Sequence, residues 1–245
     1  MNALAPDTWR RLLRRAPADA ALSSLYGPLL CPPTAPDGCY VLGRIAQSLD
    51  GRIATASGAS QWISGQEDVV HMHRLRALFD ALVIGAGTVR ADDPQLTTRA
   101  VEGPSPVRVV LDTNRRLHGD YRVFREGPET LLLCATDAAG ADRVGRAPVL
   151  RLPRKGEALD IVAVLATLAE RGLRRVYVEG GGITVSRFLA AGALDRLHIS
   201  VAPLVIGSGP VGLTLAPIDR LEDALRPVVA IHRLGADLLF DCAFS

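Results

Sequence analysis

Arg175-Val-Tyr-Val-Glu179-Gly180-Gly181-Gly182-Ile183-Thr184 reads as a buried strand that runs into three glycines and then directly into a helix. A helix start offers unpaired N–H groups and the positive end of its dipole, and glycines let an anion approach the backbone closely. One tight strand-to-helix turn does not need three consecutive glycines for its dihedrals. An anion site, with a phosphate or pyrophosphate as guest, is therefore favoured over a turn alone.

The same alternation continues on both sides of this segment. Strands are predicted over 40–46, 81–85, 107–111, 130–135, 148–152, 174–179 and 196–206. Helices are predicted over 159–171, with Ile161, Val164, Leu165 and Leu168 at core spacing, and over 182–191. Ser64, three positions before Glu67, predicts a capping box opening a helix that runs to about Phe79 and buries Met72, Leu75, Leu78 and Phe79. The tail, 228–234 then 237–244 around Gly235-Ala236, predicts an antiparallel hairpin. Such a pattern implies an α/β fold: a mostly parallel mixed central sheet with flanking helices and an antiparallel edge. Gly85-Ala-Gly-Thr-Val-Arg90 also follows a strand, but the third glycine of a dinucleotide fingerprint is absent and Pro94 stops any long helix.

With 48% apolar and 22% charged residues in 245, the chain can bury a sizeable core, which excludes disorder. A net charge of +2 gives no case for nucleic acid. Lysine occurs once, at Lys155, in a polar run suited to a solvated loop rather than to a Schiff base. Cys31, Cys39, Cys134 and Cys242 lack metal-site spacing, so no metal is expected and a reducing, cytoplasmic setting is inferred. No apolar run reaches membrane-span length. Arginines 10, 11, 14 and 15 around Trp9, Leu12 and Leu13 predict an amphipathic helix packed on the domain, and the proline-rich stretch 28–38 reads as a linker. The expected division is a helical extension and linker over 1–38 and one domain over 39–245.

Other candidates are open on residue type alone. Trp62, in Ser60-Gln-Trp-Ile63, either covers a planar ring or closes the edge of a core. Arg76, among apolar neighbours, needs an anionic partner. That partner is either a phosphate or, as favoured without further context, Asp68, Asp80 or Glu67. His71 and His73 point to different helix faces and make a poor metal pair. No nucleophile elbow is present.

Five motifs occur together in order: Ser48-Leu-Asp-Gly-Arg52, Ser60-Gln-Trp62, Thr88-Val-Arg-Ala-Asp92-Asp93-Pro94-Gln-Leu96-Thr97, Val109-Val-Leu-Asp112-Thr113 and Val178-Glu179-Gly-Gly-Gly182. Over residues 39–244 the chain resembles the reductase domain of riboflavin-biosynthesis deaminase–reductases and stand-alone pyrimidine reductases. The resemblance implies a dihydrofolate-reductase-like fold, NADPH as hydride donor, a 5-phosphoribosylamino-pyrimidine substrate reduced to its ribityl form, and a homodimer. It places Ala46, Trp62, Thr88, Asp92, Thr113 and 181–187 (Gly181, Gly182, Ile183 and Thr184 among them) against the cofactor. Ser60, Arg76, Leu96, Arg99 and Glu179 are placed against the substrate, with Arg76 and Arg99 clamping its phosphate. Arg115 and Arg116 follow Thr113 and are candidates for the 2′-phosphate. Glu179, then Asp50, is the candidate proton donor, with a water as the alternative.

Two departures accompany the resemblance. The zinc deaminase motif does not occur in the first 38 residues. A lysine is common in the family's first strand where this chain has Gly43-Arg44, and an arginine keeps the charge without easily giving up a proton. A reductase of the same fold acting on a different substrate is therefore the second reading, and a non-catalytic nucleotide-binding module the third.

Overall fold

The computed structural model describes residues 4–33, 37–61 and 63–244. Twelve strands follow in chain order: β1 (Tyr40–Ser48), β2 (Ala81–Gly85), β3 (Val107–Leu111), β4 (Thr130–Ala135), β5 (Arg143–Val144), β6 (Ala147–Leu152), β7 (Arg154–Lys155), β8 (Ala158–Leu159), β9 (Arg175–Glu179), β10 (Arg196–Ala202), β11 (Val228–Leu234) and β12 (Asp237–Ala243). Six α-helices join them: α1 (Pro6–Leu13), α2 (Gln66–Leu78), α3 (Ala86–Asp92), α4 (Arg122–Arg125), α5 (Ile161–Glu170) and α6 (Gly182–Ala190). Ten strands form one sheet in the order β11-β12-β10-β1-β9-β2-β3-β4-β6-β5. The run from β10 to β6 is parallel, and β11–β12 form the antiparallel hairpin at one edge. This is the expected mixed sheet with a terminal hairpin.

Each face of the sheet carries its own core. Val41, Ile45, Val176 and Val178 pack with Val164, Leu168, Val185 and Phe188 of α5 and α6. Alternate residues on the same strands, Leu42 and Tyr177, pack on the other face with Leu75 and Leu78 of α2 and with Trp9, Leu12, Tyr26, Leu29 and Leu30. The side-chain period of two assigns each strand residue to one of these cores. Sheet and N-terminal segment sandwich α2, so seven of its residues are buried, His71 and His73 among them. Tyr26 Oη lies 3.0 Å from His71 Nδ1, and the Arg74 guanidinium stands over both Trp9 and Tyr26.

Two expectations need correction. The capping box does not form: α2 begins at Gln66 behind Gly65, whose N–H donates to Asp237 Oδ2 at 2.7 Å instead. The stretch 28–38 is not a linker in its first part, because Leu29 and Leu30 are core residues and Arg175 donates to their carbonyls. As expected, no long helix follows Gly85: α3 has seven residues and ends before Pro94. Among the described residues, no helix is long and apolar enough to cross a membrane.

Candidate functional site

The carboxyl ends of β9, β2 and β3 open on a cavity of about 710 Å³. In parallel α/β sheets this is where ligands collect, because loops there diverge and helix N-termini converge. The bend after β9 forms one wall. Gly180 and Gly181 have φ of 74° and 35°, which side-chain-bearing residues rarely adopt. A Cβ on Gly181 would stand 2.8 Å from Thr88 Oγ1, and one on Gly182 would stand 2.5 Å from the Gly212 carbonyl oxygen. The glycines thus allow three segments to meet around the start of α6: the β2–α3 turn, the β9–α6 bend and the 210–214 loop.

The third wall is the turn after β3. Asp112 is buried and accepts the Leu117 N–H at 2.8 Å, which closes residues 113–116 into a loop. Arg115 bends inward to donate to the Ala141 carbonyl at 2.7 Å, while Arg116 lines the cavity. Arg90 and Arg187 line it too, and the guanidinium groups of Arg90, Arg116 and Arg187 are given no acceptor among the described residues. Glu157 is the one acidic residue of the lining besides Asp112. A helix start and three free cations fit a ligand with several anionic groups.

Behind the bend lies a buried polar cluster on the α2 face of the sheet. Arg76 of α2 meets Glu179 in a two-pronged pair, Nε to Oε2 at 2.8 Å and Nη2 to Oε1 at 2.5 Å. Its remaining Nη1 donates to the Thr97 carbonyl at 2.9 Å. The Arg76 guanidinium holds the Glu179 carboxyl below its ordinary range against the opposing effect of burial. Beside them, Arg44 pairs with Asp68, and Ser200 Oγ donates to Asp68 Oδ1 at 2.5 Å. Arg44 faces Glu179 across the β1–β9 register.

The structure sorts the expected site residues. Thr88, Thr113, Arg116, Gly181, Gly182, Ile183 and Thr184 all line the large cavity. Ala46, half-buried on β1, and Asp92, exposed at the end of α3, are not in its lining. Trp62 lies outside the described residues. Arg76 and Glu179 come together, but with each other; none of Asp68, Asp80 and Glu67 is Arg76's partner, and its guanidinium makes four hydrogen bonds within the protein. Leu96 is buried, so it offers backbone rather than side chain, while Arg99 is exposed. Ser60 is half-buried in the loop before α2, outside that cluster. Asp50 is a staple: it accepts Ser48 Oγ at 2.6 Å and the N–H groups of Ile206 and Gly207 at 3.0 and 2.7 Å. Those bonds, the Ser48 one foremost, hold its pKa at about 2, so it is an acceptor and not an acid at neutral pH.

Sequence inspection named Arg44, Asp68 and His73 singly but missed Ser200 and the contacts that join Arg44 to Asp68, Ser200 to Asp68 and His73 to Arg99. Their partners are far away in the chain, and no local spacing signals them.

The chain is thus an α/β protein whose parallel strand ends border a three-walled cavity lined by a helix start and by arginines. The family described as the RibD C-terminal domain matches residues 39–231, and the chain belongs to it. Over 213 residues it is 35% identical to the 2,5-diamino-6-ribosylamino-4(3H)-pyrimidinone 5′-phosphate reductase of Methanothermobacter thermautotrophicus, an alignment covering 82% of this chain and 96% of that one. It is 36% identical over 182 residues to the riboflavin biosynthesis protein RibD of Bacillus amyloliquefaciens, covering 73% of this chain and 48% of that one. The crystal structure of a diaminohydroxyphosphoribosylaminopyrimidine deaminase/5-amino-6-(5-phosphoribosylamino)uracil reductase from Thermotoga maritima superposes with a TM-score of 0.69 at 28% identity, covering 84% of this chain and 56% of that one. The chain thus spans nearly the whole of the Methanothermobacter relative and about half of the RibD relative. It is an oxidoreductase, and its family membership implies a nicotinamide cofactor.

Proposed function

We propose that the chain reduces the ribose of a 5-phosphoribosylamino-pyrimidine to the ribityl form, with NADPH as donor, in riboflavin biosynthesis. The observation carrying this reading is that Glu179 and Gly181 are two residues apart: the anion cavity and the arginine cluster share one strand end. A donor and an acceptor held on either side of that bend are neighbours, as hydride transfer requires. Bound NADPH would supply the hydride that reduces C1′ of the opened sugar. The Gly181–Thr184 backbone, Thr88 and Thr113 would hold the cofactor. Arg99, with Arg76 behind it, would draw in the substrate phosphate, and Leu96 would contribute its main chain. Glu179 and Asp50 both stand ionised, so the accompanying proton comes from water.

The test is NADPH oxidation with the deaminated and non-deaminated pyrimidine phosphates side by side, with turnover expected on one of them. Binding of NADPH without oxidation by either would favour a different substrate. That second reading rests on Arg44, which is locked to Asp68 where a lysine would offer a transferable proton.

Arg116 would select NADPH over NADH through the 2′-phosphate, since Arg115 is tied to Ala141. Arg116→Ala should raise the KM for NADPH by about tenfold, the scale of one charge-assisted contact, and leave that for NADH unchanged. Equal changes for both would remove Arg116 from that role.

The chain would work as a homodimer in the cytoplasm, a setting with which the buried free thiols of Cys39, Cys134 and Cys242 agree. β11 is an open edge strand on which Val228, Val229 and Ile231 are 77%, 46% and 61% exposed. An uncovered apolar edge invites pairing with another chain. Ile231→Asp should convert a dimer into a monomer in sedimentation equilibrium; a wild-type chain already monomeric at micromolar concentration would refute the dimer.

A further inference from the structure

The loop that carries Leu96 and Arg99 is held from four separate places, three of them by side chains and one by the Arg122 main chain. Arg122 N–H donates to Asp93 Oδ1 at 2.7 Å, and Arg108 Nη1 donates to the Gln95 carbonyl at 3.0 Å. Arg76 Nη1 takes the Thr97 carbonyl, and Ser105 Oγ accepts the Thr98 N–H at 3.0 Å. Asp93 and Leu96 have φ of 38° and 56°, so the loop holds two left-handed non-glycine residues that its surroundings must enforce. The last tie is His73 on α2, whose Nδ1 accepts the Arg99 N–H at 3.2 Å. The Arg99 guanidinium itself is given no acceptor among the described residues.

Of these ties, His73 alone acts on Arg99 directly. Its imidazole is 1% exposed. Burial, with the neighbouring Arg76 and Arg99 charges, pushes its pKa down to about 4. The ring is therefore neutral at pH 7, and an Nδ1 that accepts carries its proton on Nε2. Lysine or arginine at this place would be a third cation beside Arg76 and Arg99. An aliphatic residue would leave the Arg99 N–H unpaired.

We propose that His73 is a positioning residue for substrate recognition: its Nδ1 fixes the main chain of Arg99 so that the free guanidinium stands where the substrate's phosphate arrives. This rests on the preceding reading that Arg99 meets that phosphate, and the experiment separates the two.

The variants are His73→Asn, His73→Gln and Arg99→Ala. An asparagine amide reaches the place of Nδ1, whereas a glutamine amide reaches only that of Nε2. Both are polar and smaller than or similar to histidine, so stability alone does not separate them. Steady-state kinetics would be run with the phosphorylated substrate and with its dephosphorylated counterpart. His73→Gln should raise the KM for the phosphorylated substrate by about tenfold, with the KM for NADPH unchanged. His73→Asn should restore it to within about threefold of wild type. Neither should alter the use of the dephosphorylated compound. In an Arg99→Ala background, His73→Gln should add nothing, since the group it places is gone. Identical behaviour of the Asn and Gln variants, or additive losses in the double variant, would overturn the role of His73 while leaving the phosphate reading intact. If Arg99→Ala fails to distinguish phosphorylated from dephosphorylated substrate, the phosphate reading itself falls, and the role of His73 with it.

Discussion

Arg76→Ala is expected to lower the unfolding free energy by about 3–5 kcal/mol, the cost typical of leaving one charge of a buried pair without its partner. Arg76 and Glu179 are 4% and 8% exposed, and the carboxylate would keep its burial while losing both guanidinium contacts. The Thr97 carbonyl would lose its donor at the same time. Removing both charges, as in Arg76→Met with Glu179→Met, should recover most of the stability, because no orphaned ion remains. It should not recover turnover. Substrate use should suffer far more than NADPH binding, since Arg76 is absent from the cavity lining.

Urea unfolding at several pH values also checks the sign. The folded-state pKa of Glu179 is depressed, so its contribution is present above its ordinary value of 4.5 and is lost as pH falls through the folded one. Asp68, drawn by Arg44 from 3.8 to about 2, adds a further loss in that acid range. The gap between wild type and Arg76→Ala should accordingly be widest near neutrality and narrow on acidification. A constant gap of less than about 1 kcal/mol would show that the pair behaves as an exposed one.

Gly182→Ala should leave the protein folded and weaken cofactor use strongly. The added Cβ would stand 2.5 Å from the Gly212 carbonyl and 2.8 Å from that of Val211, both backbone atoms that no rotamer change can move aside. The 210–214 loop would have to retreat from the start of α6, although Ile53 N–H to Pro210 O, Gly212 N–H to Gly51 O and Thr214 N–H to Ser186 Oγ tie it down. Overpacking of this kind costs about 1–3 kcal/mol. Charged wholly to the cofactor site, it corresponds to a rise of roughly ten- to a hundredfold in the NADPH KM. Fluorescence titration with NADPH would measure it. Wild-type affinity in the variant would mean that the loop does not border the bound cofactor.

The bend after β9 was legible in the sequence because it is built from contiguous backbone: three glycines stand between a strand and a helix. Thr88 and Thr113, singled out by the resemblance, line the same cavity. Arg76 was legible as a residue in need of an anion, but not its partner, since Glu179 lies 103 residues away. Its nearer acids were the natural expectation: Asp68 turned out to serve Arg44, and Asp80 to serve Arg15 and the N–H groups of Arg174 and Arg175. The capping box fails because α2 starts one residue later than it requires, behind Gly65, whose N–H is tied to a carboxylate 172 residues on. His73 was weighed only as a metal ligand, and nothing near it in the chain signalled its bond to the Arg99 N–H.

Periodicity, glycine placement and strand–helix alternation thus specified the sheet, its hairpin edge and the glycine bend, because each is settled within a few residues of backbone. Which buried charges meet and which histidine ties the Leu96–Arg99 loop were decided by packing alone. A buried ion or imidazole takes whichever partner the folded chain brings within hydrogen-bonding distance, and sequence separation sets no limit on that choice.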